Sequence, residues 1–323
     1  MRFIQKKALM SNQSRIFLLG PTASGKTELT KFCYDNFPID IISVDSAQVY
    51  KGFDIGSAKP TQDELSKYPH QLVNIIDPYL AYSAYDFNND VERLCDESKK
   101  IGRIPFLSGG TMMYFNSLEF PLDDIPATNL EIRTRVAADL EKYGLSYLYQ
   151  KLNEFDPDSA RRILPSDTQI ILRALEVFYE SGKPLSSFYS TKKNIIKPPP
   201  LLKIALFPHD REKLHRLIES RVDKMLSNGL VEEVEGILNS HPSLDESYSS
   251  LRAVGYKQTY YYLKGKLPKE DLRDRIVFAT RQLAKRQITW MRKMQNLRLF
   301  DPFQENLQTQ VKESIIERIR IVI

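Results

Sequence analysis

Eight consecutive residues, Gly20-Pro21-Thr22-Ala23-Ser24-Gly25-Lys26-Thr27, match the spacing G-x-x-x-x-G-K-[ST] in full. The chemistry of such a run is anion binding. Its glycines let the backbone wrap a phosphate with N–H groups, a helix starting there adds partial positive charge, and Lys26 supplies a mobile cation. Thr27 offers a hydroxyl to Mg²⁺ or to a phosphate oxygen. The ligand implied is a di- or triphosphate. Downstream, Asp45 follows the apolar run at residues 40–44 and is trailed by Ser46, Ala47 and Gln48. An aspartate after a strand often serves only as a solvated cap. The phosphate loop upstream and polar neighbours able to bond a planar ligand argue for a site instead.

Enzymes that cleave nucleoside triphosphates usually carry an acid at the end of a further apolar strand, where it holds Mg²⁺. The equivalent stretch here runs from Ile104 to Leu107 into Ser108-Gly109-Gly110-Thr111, without a carboxylate. That argues against an ATP-driven motor. A small-molecule or nucleotide kinase using the same loop stays open, as does a nucleotide-gated RNA-binding module.

These groups need elements to hold them. Short apolar runs at residues 15–19, 40–44, 104–107 and 203–207 are bounded by turn residues and read as buried parallel strands. Helical patterns alternate with them, as at 87–100, so the phosphate loop falls on a strand-to-helix turn and Asp45 on the carboxyl edge of a sheet. Between the third and fourth runs the pattern is purely helical, at 129–143, 146–155 and 168–181, closing on a Pro-rich stretch at 197–200. The expected fold class is α/β: a P-loop NTPase-like parallel sheet flanked by helices, with an all-helical insertion domain. The expected domains are an extension at 1–13, a catalytic domain at 14–114 and 201–300, the insertion at 115–200 and a tail at 301–323.

The chain has 323 residues, 42% hydrophobic and 27% charged, which excludes fibrous and bulk-disordered classes. Its two cysteines, Cys33 and Cys95, make neither a disulfide framework nor a metal motif, and His70, His209, His215 and His241 show no ligand spacing. No stretch is long and apolar enough to span a membrane, and residues 1–10 do not read as a signal peptide, so a cytoplasmic location is expected. The net charge of +5 is uneven: residues 201–300 carry 19 basic against 12 acidic residues, whereas residues 1–130 carry 13 against 16. Residues 281–293 hold five basic residues, no acidic ones and the only tryptophan, a mixture that suits folded RNA as well as a solvated helix face.

Beside the phosphate loop, residues 43–50 (SVDSAQVY) and 55–60 (IGSAKP) resemble the tRNA dimethylallyltransferase (tRNA isopentenyltransferase) family. Further matches recur in order: Gly109-Gly110-Thr111 with Tyr114, Gln169 to Arg173 before Ala174-Leu175-Glu176-Val177, Arg221-Val222-Asp223 with Met225, residues 229–234, residues 252–256, and Lys285-Arg286-Gln287 with Thr289-Trp290. The resemblance spans residues 14–295.

The resemblance implies transfer of a dimethylallyl group from dimethylallyl diphosphate to N6 of the adenosine at position 37 of tRNAs reading codons that begin with U. Gly20 to Thr27 would then cradle a leaving diphosphate, which accounts for the missing strand-end acid. Asp45 becomes the general base, with Lys26, Thr27 and Arg221 stabilising the leaving group and Mg²⁺ as cofactor, held in part by Thr27. The tRNA contacts implied are Asp45, Ser46, Ala47 and Gln48 at the reacting base, then Thr111, Arg133 and Gln169-Ile170-Ile171-Leu172-Arg173. Arg252-Ala253-Val254-Gly255-Tyr256-Lys257 and Lys285-Arg286-Gln287-Ile288-Thr289-Trp290-Met291-Arg292 complete them. Two positions depart from the family: Ile170 stands where arginine is common, and Lys257 likewise, losing a bidentate fork. The partner implied is the anticodon stem-loop of tRNA, with no membrane, and the family is generally monomeric.

Overall fold

The computed structural model describes residues 15–120, 122–123, 125–126, 128–189 and 200–322. The expected extension at 1–13 and most of the Pro-rich stretch lie outside the described residues.

The strands are β1 (Ile16–Leu19), β2 (Ile39–Val44), β3 (His70–Gln71), β4 (Ile104–Gly109), β5 (Leu202–Leu206) and β6 (Arg298–Phe300). They form one sheet in the order β3-β2-β4-β1-β5-β6, parallel at every pairing. Four were legible as apolar runs; β3 and β6, at two and three residues, are too short to show a period. The helices are α1 (Lys26–Asn36), α2 (Gln62–Lys67), α3 (Ala84–Lys100), α4 (Met112–Glu119), α5 (Leu130–Phe155), α6 (Pro157–Ala160) and α7 (Thr168–Ser181). After β5 come α8 (Arg211–Ser227), α9 (Leu230–Ser240), α10 (Tyr256–Leu263), α11 (Lys269–Met291) and α12 (Leu307–Val322).

β1 shows why the sheet is buried on both faces. Its four side chains are 0% exposed and alternate by strand geometry. Ile16 and Leu18 share a core with Leu29 and Cys33 of α1 and with Val311 and Ile315 of α12. Phe17 and Leu19 share the opposite core with Phe87 and Val91 of α3 and with Phe115 and Leu118 of α4. A third cluster joins α8 to α11, from Val222 and Val234 to Tyr256 and Ile276. Burying one such side chain fully contributes about 1.5–3 kcal/mol.

The chain divides into two compact units, residues 1–119 with 198–323, and residues 120–197. This division ends the insertion at 197 where 200 was expected, and two further expected boundaries differ from it. The insertion was expected from 115, but Phe115 and Leu118 are 0% exposed under the sheet, so α4 stays with the strands. The tail expected from 301 is α12, whose Val311 and Ile315 seal one sheet face.

The helical unit has its own core, in which Val136, Leu148 and Leu152 of α5 meet Ile171, Ala174 and Leu175 of α7. Asn129 and Asp167 cap the two helices by accepting backbone N–H bonds from Ile132 and Ile170. Gly144, at φ 78° and ψ 167°, interrupts α5 between the two helical patterns expected at 129–143 and 146–155.

Register positions the site. Leu19 pairs with Gly109 and Ala205, and Gly109 pairs with Val44. Gly20, Asp45 and Gly110 are the next residues of three neighbouring strands, so all leave the sheet at one carboxyl edge, where open α/β sheets bind ligands.

Candidate active site

Between β1 and α1 the phosphate loop is held by its own atoms. Gly25 adopts φ 79° as the chain turns into α1, a left-handed conformation that a side chain would strain. The buried Ser24 hydroxyl donates to the Pro21 carbonyl at 2.8 Å. Lys26 Nζ donates to the carbonyls of Gly20 (2.9 Å) and Pro21 (2.7 Å). Thr27 is exposed, and its hydroxyl makes no hydrogen bond with a described residue. The first amides of α1 point the same way, with the positive end of the helix dipole behind them.

Two strands away, Asp45 sits in a braced turn. Its Oδ1 accepts the backbone N–H groups of Ala47 (2.8 Å) and Gln48 (3.3 Å), while Oδ2 accepts none from the described residues. Ser46 N–H donates to Thr111 Oγ1 at 3.1 Å. Gln48 is fixed at both ends of its amide: Ser43 Oγ donates to Oε1 at 3.0 Å, and Nε2 donates to the carbonyls of Ser57 and Ala58 at 3.4 Å. The Val44 carbonyl accepts the N–H groups of Gly110 (3.2 Å) and Thr111 (3.1 Å). Any Cβ at Gly109 would overlap that carbonyl, which explains one glycine of the pair.

Arg221 comes from α8, started by Asp210 accepting the Lys213 N–H and seated through Leu214, Ile218, Val222 and Met225. The neighbouring face carries Arg221 toward the phosphate loop, with no hydrogen bond or ion pair to a described residue. Loop, Asp45, Thr111 and Arg221 line one cavity of about 1010 Å³. Its charges feel one another. Burial, and then the Arg221 guanidinium, push the Lys26 ammonium down to about 7, opposed by Asp45. Burial also lowers Arg221, and Asp45 offsets part of that. Two desolvated cations facing one carboxylate make a site short of negative charge, suited to an anion.

No group of three or more His, Cys, Asp or Glu side chains among the described residues could hold a metal. An ion would rest on Thr27 and on phosphate oxygens of the ligand, the arrangement Mg²⁺ commonly takes.

The family described as IPP transferase matches residues 48–294, which takes in the Gln48 wall, Thr111, Arg221 and α11. The chain belongs to this family. Among its relatives are tRNA dimethylallyltransferases of Nitrosospira multiformis, 44% identical over 93% of both chains, and Thioalkalivibrio sulfidiphilus, 46% identical over 86% of both. The full-length tRNA isopentenylpyrophosphate transferase of Bacillus halodurans has a similar structure, with a TM-score of 0.67 and 31% identity over 96% of this chain and 98% of that one. A eukaryotic dimethylallyltransferase, solved acting on tRNA, superposes with a TM-score of 0.75 at 27% identity, over 95% of this chain and 79% of that one. Membership agrees with the sequence resemblance and with the α/β fold expected from the alternation of apolar runs and helical patterns.

Within this family fold, the residues expected at tRNA divide by burial. Arg252, Lys257, Lys285, Arg286, Thr289, Trp290 and Arg292 are exposed in the α/β unit, as are Arg133, Gln169 and Ile170 in the helical unit. Ala253, Val254, Leu172, Arg173 and Ile288 are half-buried. Ile171, Tyr256 and Met291 are buried within cores, so their side chains are corrected from contact surface to packing. Gln287, 8% exposed, is corrected too: both ends of its amide are engaged by the protein. Arg173 donates to Thr128 Oγ1 and, at 2.8 Å, to the Pro126 carbonyl, which anchors it inside its own unit.

Sequence reading gave no role to Glu233 or Lys59. Glu233 accepts the backbone N–H groups of Asp54, Ile55 and Gly56 and the hydroxyl of Tyr256. Lys59 ties Tyr50, Asp54 and Asn74 together. Both shape the segment whose carbonyls hold Gln48. Their presence in the motifs at 55–60 and 229–234 was the available signal.

Proposed function

We propose that this protein is a tRNA dimethylallyltransferase. It transfers the dimethylallyl group of dimethylallyl diphosphate to N6 of the adenosine at position 37 of tRNAs reading codons that begin with U. The products are N6-dimethylallyladenosine and diphosphate. The observation that carries this reading is the meeting in a single cavity of a phosphate loop with a carboxylate oxygen and an arginine that no described residue engages.

Spacing supports it. β2 and β1 are separated by β4, so Asp45 stands two strand intervals from the loop, roughly 10 Å at the usual sheet spacing. A diphosphate in the loop therefore leaves room for a short allyl chain between itself and the base. The adenine N6 lone pair is delocalised into the ring and must lose a proton as it attacks. Asp45 Oδ2 takes that proton, while its Oδ1 is held still by the two amides. The bond from the allylic carbon to oxygen breaks as the bond to N6 forms, and charge gathers on the departing diphosphate. Lys26, Arg221, the loop amides and Thr27 stabilise it there, and Mg²⁺, which Thr27 would help to hold, would supply further positive charge. Ser46 to Gln48 line the wall for the unstacked base, whose extrusion costs a few kcal/mol.

The exposed face of α11, with Lys285, Arg286 and Trp290, and the segment at 252–257 offer a basic, aromatic surface for the anticodon stem-loop. Exposed Arg133 and Gln169 give the helical unit a contact of its own with tRNA. The enzyme is read as a cytoplasmic monomer. The test is purified protein with unmodified tRNA, Mg²⁺ and labelled dimethylallyl diphosphate. Label should enter tRNA in the wild type and not in Asp45→Ala, with tRNA binding retained. ATP consumption without label transfer would instead indicate the kinase.

A further inference from the structure

We propose that Gln287 is a positioning residue for the phosphate loop, and that Gly110 is a glycine in order to admit it. The inference deepens the proposed diphosphate site and rests on it. Gln287 lies on α11 between exposed Arg286 and Trp290, yet its own side chain turns inward. Its Oε1 accepts the Thr22 N–H at 2.9 Å, and its Nε2 donates to the Gly110 carbonyl at 2.9 Å. One amide thus joins the loop after β1 to the loop after β4, across 265 and 177 residues of sequence.

The consequence for the site is geometric. With its N–H committed to Gln287, Thr22 holds the leading half of the phosphate loop to α11, while Ser24 and Gly25 shape the trailing half. A Cβ at Gly110 would overlap Gln287 Nε2, and its next neighbour, Gln287 Cδ, would lie at an ordinary 3.5 Å. Gly110 is small for this one side chain, and Thr111, which follows it, braces Ser46 beside Asp45. The same amide therefore steadies both ends of the reaction path.

The experiment measures affinity for inorganic diphosphate with Mg²⁺ by calorimetry and affinity for an anticodon stem-loop RNA by anisotropy. It uses wild type, Gln287→Met, Gln287→Ala, Gly110→Ala and the Gly110→Ala/Gln287→Ala double variant, each checked for folding by thermal melt. Gln287→Met keeps the volume and leaves a half-buried donor and acceptor, the Thr22 N–H and the Gly110 carbonyl, without their partner, so diphosphate affinity should fall about tenfold. KM for dimethylallyl diphosphate should rise in step, while RNA affinity stays within about twofold. Gly110→Ala alone should weaken diphosphate binding. Added to Gln287→Ala it should do little more, because the obstructing amide is gone. Loss of RNA affinity with unchanged diphosphate affinity in Gln287→Met overturns the proposal, as does strict additivity of the Gly110 and Gln287 effects. Wild-type protein that binds no diphosphate would instead remove the proposed function itself.

Discussion

The carboxyl edge of the sheet and the helical unit are built to different tolerances. At the edge, chemistry-bearing residues come from separate strands and are held by single contacts: two amides on Asp45 Oδ1, the Val44 carbonyl against Gly109, one glutamine between two loops. In the helical unit, Val136, Leu148, Ile171 and Leu175 form a hydrophobic core, while Arg133 and Gln169 are exposed. The first arrangement depends on atoms at fixed separation, the second on hydrophobic area and charge. Substitutions at the edge should change rate constants, and surface substitutions in the helical unit should change RNA affinity and its salt dependence.

The comparison breaks most visibly at Asp45. Replacement by alanine should lower kcat by about 10²- to 10⁴-fold, the usual share of a general base, with RNA affinity retained. Single-turnover label transfer measures it; a loss below about threefold would remove Asp45 from the chemistry. Next in size is Arg221→Ala, which takes away one cation aimed at the leaving group. A loss of about 10²-fold in kcat is expected, with KM for tRNA unchanged.

A third effect sharpens the charge argument. Lys26 at about 7 in the folded protein lies below its ordinary 10.5, so between these values the unfolded chain binds more protons and stability rises with pH. Diphosphate binding favours the charged lysine, and phosphate groups are themselves ionised above about pH 6. Binding near pH 8 should therefore take up a proton, and affinity should decline as pH rises above 7. Calorimetry in buffers of different ionisation enthalpy reads the uptake. Arg221→Ala, removing the cation that helps depress Lys26, should move the decline to higher pH. The smallest effect belongs to the surfaces: Arg286→Ala and Arg133→Ala should each reduce the slope of log affinity for tRNA against log salt by about one, with kcat unchanged. An unchanged slope for either would take that residue off the RNA surface.

Much of this was legible early. Gly20 to Thr27 is a local motif whose strand-to-helix context is also local, so its reading needed no tertiary knowledge. Asp45 was placed at a strand end by the apolar run before it. Burial on α11 was not legible, because Lys285 to Arg292 is basic enough that sequence alone treats the whole run as surface. Only packing shows that Gln287 and Met291 turn inward while Lys285, Arg286, Thr289 and Trp290 stay exposed. Tyr256 misled for a similar reason. A tyrosine between a glycine and a lysine looks like a surface aromatic, yet its ring is 0% exposed and its hydroxyl serves Glu233.

What the sequence determined by itself was local: four core strands, the anion loop, the acid after β2, the helical character of the insertion and the family resemblance. Each rests on short runs of sequence, and the resemblance on several such runs recurring in order over residues 14–295. The tertiary structure decided which distant residues share the cavity, that α4 and α12 belong to the sheet, and that a glutamine in a basic run pins the phosphate loop. Those outcomes depend on parallel register, which sets Leu19, Val44, Gly109 and Ala205 side by side across the sheet, and no short window of sequence records that alignment.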